Sequence, residues 1–565
     1  MALRDRLPAP PIRLPRPRRL PRYTVQRDIP VTMPDGVTLL ADRYVPAGAR
    51  RPPPTILVRT PYGRRGPAAV VNGLQFVPFG FQLLVQSARG TFGSGGEFDP
   101  LTNEHADGVA TVEWLKRQPW FSGSFGVYGP SYLGYTAWAL AAEAGPELKA
   151  LSLQITTSRI LEAAHVGGSF ALESTLTWAH LTSRQQQRLG MLTGPLTSRR
   201  RAIAAARSGR PLAELDEVAG GAPMRFYQDL IANGEPGTDF WRDRDFSGTL
   251  GQVEAPVNLL GGWYDIFLPW EIKDYLALRA AGRHPYLTIG PWWHADARHA
   301  LPTMRDSLAW FRAHLRGDFS GLRSNPVRVY VTSAREWRDY RDWPPPGMTQ
   351  VPWHLHAGGG LGEDGPQEAP PSSYRFDPAD PTPALGGPTL LGSSRPVDNR
   401  PLEKRPDVLV FTSPPLTEDL DVIGPVSADL FVRSSREHTD FVVRLCDVSP
   451  DHTSRNVCEG GLRVHPDLPS AEPVGTDGVL RLAVDMWPTG HRFRRGHRVR
   501  VHVTSGAYPK VAANPGTGEP LNGLGRALPA EQEVFHDPDH RSAIMLPVVR
   551  RSPEAAVPDP EAEEV

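Results

Sequence analysis

The sequence predicts an α/β chain in which a mainly parallel sheet is interrupted by a helical insertion and followed by a separate all-β domain. Three observations lead there. From Thr55 to about Ile155 apolar strand-like runs alternate with helical patterns; from 156 to about 250 that rhythm stops; and after Asn325-Pro326 many short strands follow one another without helices. Alternating strands and helices imply a parallel sheet covered on both faces, whereas helix-free runs of strands imply a sandwich. A chain of 565 residues also exceeds the roughly 250–300 residues that one core supports, so two or three domains are expected.

The opening segment, residues 1–24, is dominated by Pro and Arg, which cannot propagate a helix and have little to bury, and it reads as an extended arm. Folded sequence begins near Val25 with a hairpin pattern: IPVTM, the turn residues Pro34-Asp35-Gly36, then VTLLADRYV. The first part of the α/β core, residues 25–155, then supplies TILVRT, FQLLVQSA, a helix near 104–117, FGVYG and LKALSLQI. In that helix Ala106, Val109, Ala110 and Trp114 are spaced to share one face. Residues 156–250, rich in Ala, Leu, Gln and Arg, form the helical insertion. The second part of the core, 251–322, brings PVNLLGG and PYLTIG and a helix with Met304, Leu308, Phe311 and Leu315 on one face.

Residues 323–555 carry VRVYVT, DVLVFT, SADLFVRS, DFVVRLCDV and RVRVHVTS between Pro/Gly-rich connections, and a sandwich of the jelly-roll kind is expected there. Val499, Val501 and Val503 alternate with Arg498, Arg500 and His502, the period of a half-buried strand. An acidic tail, 556–565, closes the chain.

Lys+Arg and Asp+Glu both number 62, so the formal net charge is zero. That removes the broad attraction on which nucleic-acid or anionic-membrane binding depends and favours a small-molecule partner. Two cysteines, Cys446 and Cys458, make no disulfide framework and no CxxC unit, and free thiols are expected. Neither a signal-peptide apolar run in the first residues nor a stretch of ~20 apolar residues is present, so a cytoplasmic protein is expected. The oligomeric state is open, a homodimer included.

The chemistry concentrates in FGVYGPSYLGYTAWALAAEA, where an apolar strand, a Gly-flanked Ser131 and an Ala-rich helix follow in immediate succession. A nucleophile elbow needs this: the serine sits in a cramped strand-to-helix turn, and small neighbours, here Gly129 and Gly134, let strand and helix pass closely. The Tyr132 amide at the helix N-terminus can face an oxyanion. The spacing is one residue longer than G-x-S-x-G, and an ordinary Gly/Ser turn is the plain alternative. Asp265 follows VNLLGGWY and His294 follows YLTIGPWW, so each ends a strand, in the order Ser, Asp, His found in enzymes built on such an elbow. An exposed loop Asp and a His packed among Trp292, Trp293 and Asp296 are the alternatives. A neutral imidazole oriented by a carboxylate turns a serine hydroxyl into a nucleophile, which makes this trio the candidate catalytic set.

With these motifs in view, the chain resembles the cocaine-esterase and X-Pro dipeptidyl-peptidase-like hydrolases over nearly its whole length. The resemblance rests on PDGVTLLADRYVP, VRTPYG, RGTFGSGGEF, GPSYLG, GGWYD, GPWWH, WPTGHRFRRGHRVRVHVTSGAYP and ANPGTGE. It implies an α/β-hydrolase core, a helical cap between the Ser and Asp segments and a C-terminal jelly roll. It also implies that the phenol of Tyr62 joins the Tyr132 amide in the oxyanion hole, a role its residues alone do not suggest.

RGTFGSGGEF lacks the GK[ST] ending of a phosphate loop and reads as a structural turn, and HADARH lacks the ligand cluster of a metal site, so no metal and no cofactor are expected. Trp263, Phe267, Trp292 and Trp293, with Trp270, crowd the two catalytic loops and are candidate substrate contacts, with packing as their alternative. A dipeptidyl peptidase must present carboxylates to a substrate ammonium, yet Ile266–Trp270 holds no acid. This favours esters or acyl amides without a free amine, although cap acids such as Glu162 and Glu173 leave the peptidase reading open. A catalytically silent ligand-binding protein is the reading from another class.

Overall fold

The computed structural model describes residues 23–66, 71–187, 190–523, 527–550 and 557–558. The arm expected at 1–24 lies outside them except for Tyr23 and Thr24, as does the acidic tail except for 557–558. The predicted hairpin forms from β1 (Tyr23–Thr32) and β2 (Thr38–Pro46), paired antiparallel. Next come β3 (Thr55–Thr60), β4 (Gln82–Ser87), α1 (Glu104–Lys116), β5 (Phe125–Pro130), α2 (Tyr132–Ala141) and β6 (Leu148–Gln154). After the insertion follow β7 (Val257–Tyr264), α6 (Leu268–Ala280), β8 (Tyr286–Trp293), α7 (Ala300–Arg316), β9 (Val327–Val331) and β10 (Glu336–Tyr340), α3 to α5 belonging to the cap below.

These strands make one sheet in the order β1-β2-β4-β3-β5-β6-β7-β8-β9-β10, with Val557–Pro558 added at the β10 edge. From β4 to β9 neighbouring strands run parallel. Every residue of β3 and of β4 is buried, as expected of strands covered on both faces.

Two expectations about this sheet need correction. VRVYVT, assigned above to the β domain that was to begin at 323, is β9, which pairs parallel with β8 and is flanked by antiparallel β10. Its alternating valines bury one face in either sheet, so a period of two cannot say which sheet a strand joins. In α1 the face turned inward is not Ala106, Val109, Ala110 and Trp114. Ala106 is exposed, and the buried residues are Glu104, Asp107, Gly108, Thr111, Val112 and Leu115. The cause lies in β3: Arg59, 1% exposed, donates to Gln86 Oε1 (2.9 Å) and the Glu104 carbonyl (2.7 Å) and pairs with the Glu104 carboxylate (2.9 Å). A buried guanidinium without a counter-charge is costly, so the helix presents its polar side.

The insertion is helical as expected: α3 (Leu172–Arg184), α4 (Gly190–Ala206) and α5 (Arg225–Ala232), with shorter turns between and around them. It also holds a small hairpin, His165–Val166 with Ser169–Phe170, which docks on the C-terminal part of the chain. The Gly167 carbonyl accepts from Arg463 N (2.7 Å) and the Phe170 carbonyl from Ala512 N (2.9 Å). The approach is so close that a Cβ on Gly167 would lie 1.9 Å from the Gly461 carbonyl oxygen.

The C-terminal region is a β-rich domain with its own apolar core, to which Phe441, Val443, Leu445, Val499, Val501 and Val503 contribute. DVLVFT, SADLFVRS, DFVVRLCDV and RVRVHVTS all become strands, and Thr439–Val448 pairs antiparallel with both Ser454–Val464 and Arg498–Thr504. Arg498–Thr504 is more enclosed than expected, since His502 is fully buried and bonds Glu403 (3.1 Å). Cys446 and Cys458 are free and buried. Among the described residues no helix is long and apolar enough to cross a membrane.

Candidate active site

Three strand ends on one edge of the parallel sheet carry the predicted trio, where open α/β sheets place their functional loops. Ser131 links β5 to α2, Asp265 follows the last residue of β7, and His294 follows the last residue of the neighbouring β8.

Ser131 takes φ 55° and ψ −127°, a conformation that residues with a Cβ rarely adopt. It is held from both sides: its N–H donates to the Gln154 carbonyl (2.9 Å), and its carbonyl accepts from Thr156 Oγ1 (2.7 Å). The two glycines work as the elbow requires. A Cβ on Gly129 would lie 2.4 Å from the Leu133 carbonyl group, and one on Gly134 would lie 2.5 Å from Thr156 Cγ2. The longer spacing therefore still puts a glycine where α2 crosses the next strand end, while Leu133 turns into the core.

Ser131 Oγ lies 2.9 Å from His294 Nε2, and His294 Nδ1 lies 2.8 Å from Asp265 Oδ2. Asp265 is fully buried, and its other oxygen accepts from Phe267 N (2.8 Å). A carboxylate can only accept, so Nδ1 carries the imidazole proton and Nε2 is left to accept from the serine hydroxyl. Behind Asp265 stands Glu271, also fully buried. Burial first, and then the charges of Asp265 and Asp274, push its carboxyl well above the usual range.

Tyr132 opens α2, where the first amides of a helix have no intrahelical acceptor. Its phenol donates to Glu104 Oε1 (2.9 Å) and accepts from Leu101 N (3.0 Å), which fixes the ring. Tyr62 lies just beyond β3, and its oxygen accepts from Trp178 Nε1 on α3 (2.9 Å). Burial pushes its phenol up to about 12.

A cavity of about 170 Å³ opens at Ser131. Its walls come from three regions: Tyr132 and Thr156 from the core, Trp178, Phe226 and Leu230 from the cap, and Val442, Gly460, Gly461, Trp487 and Val511 from the β-rich domain. Of the expected substrate contacts, Phe267 lines it and packs edge-on against His294 (5.5 Å between ring centres). Trp270 lines it too.

Trp263, Trp292 and Trp293 are not among its lining residues. Trp263 is buried against Trp343 and donates its N–H to the Tyr330 carbonyl, Trp292 is buried against Trp337, and Trp293 lies under the guanidinium groups of Arg298 and Arg395. All three are still strand residues, whose side chains pack against the faces of the sheet, whereas the cavity opens beyond the strand ends where Asp265 and His294 stand. The tryptophans that do line the cavity beside Trp270, namely Trp178 and Trp487, sit far from Asp265 and His294 in sequence. No local signal marks them.

Among the described residues three charged ones line the cavity, Glu173, Glu459 and Lys510. Glu173 pairs with Arg199 (2.6 Å), and Glu459 pairs with both Arg444 (2.6 Å) and Lys510. Glu162, the other acid considered in the cap, pairs with Arg159 (3.1 Å) and Lys273 (2.6 Å). In HADARH, Asp296 binds Arg298 (2.8 Å) and His299 sits against Trp292, and among the described residues no cluster of His, Cys, Asp and Glu is arranged to hold a metal ion. RGTFGSGGEF forms a turn, closed by Gly90 N on the Gly95 carbonyl (2.9 Å).

Residues 35–296 match the X-Pro dipeptidyl-peptidase (S15 family), and residues 321–544 match the X-Pro dipeptidyl-peptidase C-terminal non-catalytic domain. Cocaine esterase of Rhodococcus sp. is 32% identical, across 94% of this chain and 99% of its own. Among solved structures, an aminopeptidase from a marine-sediment Thaumarchaeota archaeon superposes with a TM-score of 0.78 at 24% identity, covering 95% of this chain and 99% of its own. An α-amino acid ester hydrolase superposes with a TM-score of 0.77 at 23% identity, covering 93% and 97%. At those identities the two structures establish the shared fold.

Proposed function

This chain belongs to the cocaine-esterase and X-Pro dipeptidyl-peptidase-like (S15) hydrolases, and on that premise we propose that it cleaves carboxylic esters or acyl amides through an acyl-enzyme on Ser131. One observation carries the mechanism: an unbroken relay, Asp265 to His294 at 2.8 Å and His294 to Ser131 at 2.9 Å, opening into the cavity. His294 Nε2 takes the Ser131 proton as Oγ attacks the carbonyl carbon. The oxygen that becomes negative is held by the Tyr132 amide and the Tyr62 phenol, which stays protonated because its pKa is raised to about 12 by burial. His294 then gives the proton to the leaving group, and water repeats the sequence to release the acid. An intact relay is what a silent binding protein would lack.

Within the family, the preference for substrates without a free ammonium is supported by the charges on the cavity wall. Among the described lining residues the carboxylates are Glu173 and Glu459, and each is already matched by a cation. An ammonium entering the cavity would find no carboxylate free to pair with it. Aromatic and aliphatic walls favour an apolar acyl or leaving group. The β-rich domain we read as a jelly roll, and the two free thiols favour a reducing, cytoplasmic setting.

A fluorophosphonate probe tests the nucleophile: one equivalent is expected on Ser131 and none on S131A, and an unlabelled wild-type protein would sink the mechanism. Aryl esters compared with X-Pro anilides test the preference. Faster cleavage of the anilides would make the chain a dipeptidyl peptidase.

A further inference from the structure

Trp178 occupies a position that packing alone does not account for. It projects from α3 of the cap, lines the cavity, and stacks on the Tyr132 ring with centres 5.3 Å apart and planes inclined by 24°. Its other side meets Phe226 edge-on. While holding that place it sends its indole N–H to the Tyr62 oxygen at 2.9 Å.

The chemistry of the two groups makes this bond directional. An indole N–H donates and never accepts, so in this pair the tyrosine oxygen is the acceptor. A phenol has one proton, and that proton must therefore point away from Trp178. Among the described residues no hydrogen bond takes it up. A phenol that accepts a hydrogen bond is also polarised into a better donor.

We propose that Trp178 is a positioning residue of the oxyanion hole: its N–H occupies one lone pair of the Tyr62 oxygen and so turns the Tyr62 proton away from itself, toward the substrate oxygen. The inference rests on Tyr62 being the oxyanion donor and adds what makes it one before substrate arrives. It also ties the hole to the cap. Tyr62 and Tyr132 come from the core, but the group that aims Tyr62 comes from α3, whose first-turn Glu173 N–H is bound to the carbonyl of Pro509 in the β-rich domain (3.1 Å). The hole is thus complete only when cap, core and β-rich domain are assembled.

The test separates the N–H from the ring. Trp178 is replaced by 3-benzothienylalanine, an isostere with sulfur in place of N–H, and independently by phenylalanine (W178F), each in the wild-type and Y62F backgrounds. The readouts are kcat and KM for an aryl ester together with the melting temperature. Loss of one aligned hydrogen bond predicts a fall in kcat of roughly five- to tenfold with KM within about twofold. In the Y62F background the isostere changes kcat less than about twofold, because the group it acts through is gone.

If the isostere retains wild-type kcat while Y62F is slow, the Trp178 inference is overturned and the oxyanion reading stands. If Y62F itself retains wild-type kcat, both fall. A loss of equal size in both backgrounds would make Trp178 a cavity wall only. W178F, which shortens the side chain as well, is expected to add a rise in KM that the isostere lacks.

Discussion

Ser131 is held at φ 55° and ψ −127°, and replacing it with glycine and with alanine exposes what that conformation costs. Both S131G and S131A lose Oγ and its 2.9 Å bond to His294, so that bond cancels when the two are compared. Alanine keeps a Cβ in a region few side chains tolerate, at a cost of ~1–3 kcal/mol. Glycine adopts it freely but gains freedom in the unfolded chain, which takes back ~0.4–1 kcal/mol. S131G is therefore expected to be more stable than S131A by ~1–2 kcal/mol, although neither turns over substrate. Urea unfolding followed by tryptophan fluorescence measures the difference at equal slope. An S131A protein as stable as S131G would refute the claim that the elbow stores strain.

Further predictions follow from the same geometry. D265N keeps the shape but turns an acceptor into a potential donor toward Nδ1, and kcat should fall by ~10⁴ with the melting temperature little changed. G134A places a Cβ 2.5 Å from Thr156 Cγ2, shifting the hydroxyl that holds the Ser131 carbonyl, and fluorophosphonate labelling should slow by about 100-fold. Glu459 tests pH dependence. Burial would raise its carboxyl, but Lys510 and Arg444 outweigh burial and hold it at about 2 against an ordinary 4.5. Its depressed value means that its stabilisation is present above pH 4.5 and lost as pH falls toward 2, a change of ~3 kcal/mol. Wild type should exceed E459Q in urea stability at pH 6, and the gap should close by about that amount at pH 2.

What the sequence makes legible here is whatever is decided locally. Ser131, Asp265 and His294 were accessible because each ends a strand of a parallel sheet, and strand ends converge on one edge whatever the loops do. The same reasoning fails for Trp263, Trp292 and Trp293: one or two residues before Asp265 or His294, a side chain still packs on a face of the sheet, while the cavity lies beyond the strand ends. It fails for α1 because apolar spacing does not mark the inner face there; the buried charge of Arg59 on β3 determines which side turns in. Trp178, Glu459 and Trp487 could not be found locally at all. They reach the cavity through the docking of cap and β-rich domain, and nothing in their own segments records that meeting.

The wall that the β-rich domain lends to the cavity has a consequence for how such a protein can diversify. Val442, Gly460, Gly461, Trp487 and Val511 touch the cavity but belong to a domain that supplies no member of the relay. Substitutions there can reshape the space offered to a substrate while leaving the reacting atoms, their spacing and the strained elbow as they are. One part of the cavity wall is thus written apart from the relay, and that part can be revised while the relay is kept.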